Sequence, residues 1–348
     1  MATCVFRDGK KVEDYARPYI VSEVNSSHGG NMERAKKMIE VSAEIGCDCV
    51  KFQSWSADSL YSKTYYDSVP YSRRFVSKFS LSPAQLKELA DYCKMHNVAF
   101  SSTPYCEEEV DFLVDECGVP YVKIASMEIN NLRFLQYIGN KNVPVVLSTG
   151  MSTMEEIERA VDVLEKAGTK EMTILHCVSI YPTVLPEVNL NNILGLREKF
   201  DRYPIGFSDH TLGDAAAVAS VALGACLIEK HLTLDKTRAG MDNSMATEPD
   251  EFRTLIEKCR NIQIALGSKE RSVSQSELEQ RKNMRRSLIA VRDLPKGTLL
   301  KESDLYAKRP GYGISPDKLF EYVGKYTTKD IEADTLLSPD DFSDVPEQ

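Results

Sequence analysis

The chain has 348 residues, 42% hydrophobic and 27% charged, with 43 Lys and Arg against 52 Asp and Glu and a formal charge of −9. That length predicts roughly two domains, and the composition excludes a mainly disordered, collagenous or coiled-coil protein. The acidic balance argues against broad binding to nucleic acid or an anionic membrane, so an anionic ligand must be held by a local cluster of cations and amide donors.

The opening MATCVFRDGKK lacks the apolar core of a signal peptide, and no run reaches 18 apolar residues. This predicts a soluble, cytoplasmic protein. The nine cysteines are odd in number and without C-x-x-C spacing, as expected of reduced thiols. Eight short apolar, β-branched runs follow: YIVSEVN (19–25), CVKFQS (49–54), AFSSTP (99–104), YVKIAS (121–126), VPVVLST (143–149), MTILHCV (172–178), PIGFSDH (204–210) and CLIEKHLT (226–233). Helical patterns separate most of them. One carries Met32, Ala35, Ile39 and Ala43 on a single face and stops at Gly46. A second opens on Ser82 and Pro83, and a third on Ser152 and Thr153, with Gly168 at its end. Eight evenly spaced strands alternating with helices predict an α/β fold, a (β/α)8 barrel over residues 1–267. An open doubly wound sheet is the alternative, but no G-x-G-x-x-G follows the first run.

A charged helix over residues 249–267 follows the eighth run, then a polar stretch, 268–284, that reads as linker or exposed helix. From Arg285 the pattern changes to short strands and turns, a small module over 285–348 that buries little core alone.

In a barrel the active site is built where strands end. Those positions hold Glu23, Lys51, Gln53, Thr103, Lys123, Ser126, Glu128, Ser148, Ser179, Tyr181, Ser208, Asp209, His210, Glu229 and His231. Lys or Glu inside apolar strands is costly without partners, so these residues need an explanation. His210 and His231 end neighbouring runs and can share a divalent metal with open positions, or be separately hydrogen bonded. Lys51 and Lys123 suit an anion, a Schiff base or buried salt bridges; the hydroxyls around them favour a phosphate or carboxylate pocket. His176 reads as a core residue, His96 as solvated, and His28 as a rim candidate. The aromatic segment from Trp55 to Phe79 is either a packed excursion or one wall of the pocket.

The stretches SEVNSSHGG, VKFQS, SSTPY, VKIAS with MEINN, LSTGMS, SIYPT, GFSDHT, IEKHLT and AKRPGYGISP run in order along almost the whole chain. Together they resemble the N-acetylneuraminate (sialic acid) synthase family, which includes legionaminic and pseudaminic acid synthases. The resemblance implies a (β/α)8 TIM barrel followed by an antifreeze-like (SAF) domain. It also implies that phosphoenolpyruvate condenses with an open-chain N-acylated aldose to give a nine-carbon 2-keto acid and phosphate. Carried over by motif, Lys51, Thr103, Lys123, Ser126, Ser148 and Ser208 would hold phosphoenolpyruvate. Gln53, Tyr181, Asp242 and Arg309 would face the sugar, with Glu23 between sugar and chemistry. Glu23, Glu128 and Glu229 are the acid–base candidates, and His210 and His231 the ligands of Mn²⁺ or Mg²⁺. The family pattern further implies a domain-swapped homodimer in which Arg309 completes the sugar site of the other chain.

The sequence departs from that pattern at Ser27, Ser179, Asn243 and Ala246, all expected where sugar or carboxylate binds. These departures leave the acceptor open between N-acetylmannosamine and a diacetamido-trideoxy hexose. Two rival readings remain, a lysine Schiff-base pyruvate aldolase on the same barrel and a non-catalytic sugar-binding protein.

Overall fold

The computed structural model describes residues 1–346. It divides into two compact units, Met1–Gly267 and a second beginning at Ser268. The first unit opens with an antiparallel hairpin, β1 (Thr3–Val5) and β2 (Lys11–Glu13), which the sequence reading did not anticipate. Eight parallel strands follow: β3 (Tyr19–Glu23), β4 (Cys49–Gln53), β5 (Ala99–Thr103), β6 (Val122–Ile124), β7 (Val145–Ser148), β8 (Met172–Cys177), β9 (Ile205–Asp209) and β10 (Leu227–His231). Their order is β5-β4-β3-β10-β9-β8-β7-β6. Because β10 pairs with β3, with His231 opposite Glu23, the first and last strands close the sheet into a barrel. At the remaining seam β5 and β6 adjoin without a hydrogen-bonded ladder.

Strand alternation decides what each residue meets. Ile20, Val50, Phe100, Val122 and Phe207 face outward into the main core with the helices. Tyr19, Val21, Cys49, Tyr121, Val146, Leu175 and Leu227 face the lumen. Phe6 and Val12 of the hairpin join this lumen cluster, with the Phe6 ring 4.6 Å from Tyr121 and 5.3 Å from Tyr19. The lower lumen is therefore packed apolar matter, and polar side chains are left to its upper layers. Gly206 has no side chain for a reason: a Cβ there would run into Leu175 Cδ2 and Leu227 O, at 2.6 and 2.7 Å.

The helices begin and end where their capping residues dictate. Asn31 accepts from Arg34 N ahead of the helix Met32–Ile45, and Gly46 closes it at φ 89°, a left-handed conformation that glycine adopts without strain. Ser82 with Gln85, and Thr153 with Glu156, form reciprocal capping boxes at the helices Pro83–Met95 and Met154–Ala167. The segment after β4 makes three short helices, Ala57–Leu60, Lys63–Ser68 and Pro70–Phe79, over a small core of Trp55, Val76 and Phe79. All nine cysteines are free thiols. No helix among the described residues is long and apolar enough to cross a membrane.

In the second unit the polar stretch expected as a linker contains a helix, Gln275–Met284. Antiparallel pairs Ser287–Ala290 with Leu305–Lys308, and Tyr326–Thr327 with Phe342–Ser343, follow. They enclose a core that includes Leu288, Leu294, Leu300, Ile314, Ile331 and Leu337.

Candidate active site

Above the apolar plug the lumen opens into a cavity of about 540 Å³ at the C-terminal ends of the strands. Glu23, Lys51, Gln53, Thr103, Lys123, Ser126, Ser148, Tyr181, Ser208, His210, Glu229, His231 and Asp242 all line it. Each strand residue gets there by parity. On β4, for example, Val50 and Phe52 point into the helical layer, which turns Lys51 and Gln53 inward.

The floor is an ionic cluster. Lys51 and Glu23, only 3% and 1% exposed, form an ion pair. Lys51 Nζ also donates to Thr103 Oγ1 at 3.1 Å and lies 3.7 Å from Glu229. Lys123 Nζ donates to Ser148 Oγ at 2.6 Å and to Ile124 O at 3.1 Å, with Glu229 3.9 Å away. Ser208 Oγ donates to Glu229 Oε1 at 3.0 Å, while Glu229 Oε2 accepts no hydrogen bond. Two unit charges 4 Å apart gain about 4 kcal/mol at an effective dielectric of 20. Desolvating each ion costs several kcal/mol. Lys51 and Glu23 are closely paired, but the lysine contacts of Glu229, at 3.7 and 3.9 Å, are too long to offset that cost, so Glu229 is poorly explained as a stabilising partner.

The two carboxyls are driven apart. Burial raises the Glu23 carboxyl, and nearby Glu229 adds to the effect against Lys51. Burial acts the same way on Glu229, but Lys123 and Lys51 outweigh it and hold this carboxyl below its ordinary value. Two carboxyls of opposite tendency in one cavity are suited to acid and base roles. The lysines also differ. Burial lowers Lys123, and Lys51 adds to that; Lys51 itself, though opposed by burial, is raised by Glu229 and Glu23.

A hydrogen-bonded chain orders the β4 side of the mouth. Tyr105 Oη donates to Gln53 Oε1 at 2.5 Å, and Gln53 Nε2 donates to Glu23 Oε1 at 3.1 Å. Tyr105, Asn25 and Cys177 also line the cavity and were not singled out from sequence. Tyr105 stood in the motif SSTPY, immediately after β5, where a loop residue can reach the mouth. Asn25 Nδ2 hydrogen bonds to Asp242, tying the first loop to the loop after β10. At Cys177 burial raises the thiol, but His210 more than reverses this and brings it to about 7.

On the opposite side the rings of His210 and His231 stand edge to face, 5.4 Å apart, with Tyr181 4.2 and 5.9 Å from them. His210 Nδ1 donates to Val178 O at 2.7 Å, so in the neutral ring Nε2 carries the lone pair. Burial, followed by the nearby cationic groups, keeps His231 neutral well below the usual imidazole range. Two imidazole lone pairs on one cavity fit a divalent ion whose other positions go to water and substrate. Among the described residues no cluster of three or more His, Cys, Asp or Glu is disposed to hold a metal.

Several expected residues lie elsewhere. Glu128 does not line the cavity; its carboxylate accepts from Asn131 Nδ2 at 2.8 Å, at the end of a short 3₁₀ turn. Arg309 belongs to the second unit, just after the strand Leu305–Lys308. Asp209 points outward, where Lys230 Nζ meets it at 2.6 Å. His28 is buried off the cavity, its Nδ1 accepting from Gly30 N at 3.0 Å. His176 is a core residue bonded to Val188 O at 2.6 Å. Of the departures, only Ser179 lines the cavity. Asn243 braces its own loop through Thr233 Oγ1, Asp235 O and Arg238 O, and neither Ser27 nor Ala246 reaches the site. The aromatic segment is both of the things expected of it. It packs on its own core and supplies a wall of the cavity.

A closed (β/α)8 barrel with a charged cavity at its C-terminal mouth has the layout of a barrel enzyme's active site. The NeuB family model matches residues 38–271 and the SAF domain model matches residues 285–343. The chain belongs to the NeuB family and carries a C-terminal SAF domain; it is a sialic-acid-type synthase. The N,N'-diacetyllegionaminic acid synthase of Campylobacter jejuni is 41% identical over 330 residues, covering 91% of this chain and 98% of that one. The N-acetylneuraminate-9-phosphate synthase of Homo sapiens is 32% identical over 329 residues, covering 92% and 91%. Among solved structures, the sialic acid synthetase of Leptospira borgpetersenii superposes with a TM-score of 0.74 at 29% identity, over 80% of this chain and 96% of that one.

Proposed function

We propose that the enzyme condenses phosphoenolpyruvate with an open-chain N-acylated aldose, giving a 2-keto sugar acid and phosphate. The observation that carries this reading is the pair of buried lysines, Lys51 and Lys123, with the hydroxyls of Thr103, Ser148 and Ser208 beside them on the cavity floor. A ligand with both phosphate and carboxylate supplies the anionic charge that such a floor accepts.

In the reaction, carbon 3 of phosphoenolpyruvate attacks the aldehyde carbon, and the aldehyde oxygen takes up a proton. Water adds at carbon 2, the bond from carbon 2 to the phosphate oxygen breaks, and phosphate leaves as the keto group forms. Glu23, whose carboxyl is raised by burial, is the proposed acid for the aldehyde oxygen. Glu229, held as carboxylate after burial is outweighed by Lys123 and Lys51, is the proposed base for the water. Gln53, Tyr181 and Asp242 orient the sugar at the mouth. His210 and His231 would hold a divalent cation, Mn²⁺ or Mg²⁺, which when bound supplies Lewis-acid polarisation of the aldehyde.

The test is phosphate release from phosphoenolpyruvate with a panel of N-acylated aldoses, with and without added metal. Release that depends on both substrates is the expected result. No release with any aldose, together with borohydride trapping of pyruvate on Lys51 or Lys123, would replace this reading with a Schiff-base aldolase.

A further inference from the structure

Tyr105 has no place in the chemistry above, yet its hydroxyl is the outer link of the chain that runs through Gln53 to Glu23. The residue is held from two sides. Its side chain packs against the small core of Trp55, Val76 and Phe79. Its backbone is pinned by Glu109, whose Oε2 accepts from Tyr105 N at 2.7 Å, while Ser59 Oγ donates to Glu109 Oε1 at 2.7 Å. The hydroxyl is thus delivered to a fixed point on the cavity wall, 2.5 Å from Gln53 Oε1. Burial, followed by Glu23 and Tyr181, raises the phenol well above its usual range, so it keeps its proton and can donate.

The terminal amide of a glutamine turns about its last bond with little preference of its own, so its direction is set by what its two ends meet. At Gln53 one end is Nε2, which donates to Glu23 Oε1 at 3.1 Å. That carboxylate oxygen also accepts from Asn25 N at 2.9 Å. A carbonyl turned towards it would set two acceptors against each other. The amide therefore faces Tyr105 with its carbonyl, and the phenol is the donor that satisfies it. Among the described residues no other donor bonds to Gln53 Oε1. Without that hydroxyl a half-buried acceptor loses its partner, and the amide gains by swinging away from Glu23 to find another.

Resting on the condensation reading above, we infer that Tyr105 is a positioning residue: its hydroxyl holds the Gln53 amide on Glu23, and so fixes the sugar-facing glutamine and the proposed acid in one arrangement. This chain of bonds serves the acceptor. It meets the anion-holding lysines only through the ion pair of Glu23 with Lys51, and Lys123, Ser148 and Ser208 bond to other partners.

Tyr105→Phe removes one oxygen and leaves the ring in its core. With an aldose that supports phosphate release, kcat/KM for that aldose should fall about tenfold, the effect of leaving one acceptor unpaired, with the KM for phosphoenolpyruvate within about twofold of wild type. The deciding measurement is the same substitution in a Gln53→Met background. There it should change kcat/KM by less than about twofold, because the group it acts through is gone. An unchanged rate in the single variant, or a loss of equal size in both backgrounds, overturns the inference while leaving the condensation intact. A second readout needs no turnover. The Nε2 hydrogens of Gln53, labelled with ¹⁵N and assigned by their loss in Gln53→Met, should exchange with solvent about tenfold faster in Tyr105→Phe. Equal exchange overturns the inference. If no aldose releases phosphate, the condensation reading fails, and the exchange measurement alone decides whether Tyr105 holds the amide.

Discussion

β9 and β10 carry buried polar and charged side chains on both faces, and the two faces treat them differently. Outward, Lys230 donates to Asp209 Oδ2 at 2.6 Å and to Thr211 O at 2.9 Å, while Asp209 Oδ1 accepts from Thr211 N and Oγ1. Inward, one residue earlier on each strand, Glu229 meets Ser208 at 3.0 Å but its lysines only at 3.7 and 3.9 Å, and one of its oxygens accepts nothing. The outer pair is saturated and joins strand to loop, whereas the inner set has unused capacity. A buried charge whose partners are all present belongs to the architecture. One that lacks partners belongs to a ligand, because the desolvation cost is otherwise unanswered.

Mutations on the two faces can break or sharpen that contrast. The largest effect is expected at the histidine pair. His210→Ala and His231→Ala should each lower turnover by about three orders of magnitude, with the double variant little worse, as residues acting on one unit behave. Near-normal turnover by either single variant at saturating metal would remove the pair from the chemistry. Next comes the outer face. Lys230→Met leaves Asp209 buried without its cation and should cost about 3–5 kcal/mol of stability, read from urea unfolding, while phosphoenolpyruvate affinity in the folded fraction stays put.

On the inner face Lys123→Met should do the reverse, weakening phosphoenolpyruvate binding by about 2–5 kcal/mol with little change in the unfolding midpoint. An unfolding shift as large as that of Lys230→Met would erase the distinction between the faces. A smaller effect follows from protonation. Burial lowers Lys123, and Lys51 adds to the shift, so Lys123 gives up its proton below the ordinary lysine value of 10.5. As pH rises through that lowered value the cation is lost, and kcat/KM for phosphoenolpyruvate should fall on an alkaline limb that begins below pH 10.5. A profile flat to that pH would show Lys123 fully charged throughout. For the second unit, the role that the family resemblance implies for Arg309 is tested by mixing inactive His231→Ala and Arg309→Ala chains. Partial recovery on subunit exchange is expected if Arg309 acts on the other chain, and none if it acts on its own.

Sequence alone determined the eight strands, since short β-branched runs separated by helical patterns read as parallel strands, and the observed strands end within one or two residues of those runs. It also determined the capped helix starts at Ser82 and Thr153, because a cap is a local hydrogen bond that needs only its own turn. The lysines, glutamates and histidines of the floor were legible because charge inside an apolar run is costly and visible in one dimension. Only the tertiary structure decided the face. Asp209 and Lys230 satisfied the same rule as Ser208 and Glu229, yet a step of one residue along a strand turned them away from the cavity. Loops were decided the same way. Glu128 and Asn243 sat in motifs that point to the site, but a 3₁₀ turn and a braced loop direct their side chains to backbone and neighbouring partners instead. The N-terminal hairpin that plugs the lumen left no signal, for strands of three residues carry too few side chains to show a period. Strand existence follows from local chemistry, whereas which side of a strand meets the ligand depends on register and closure, and these are set by residues far apart in the chain.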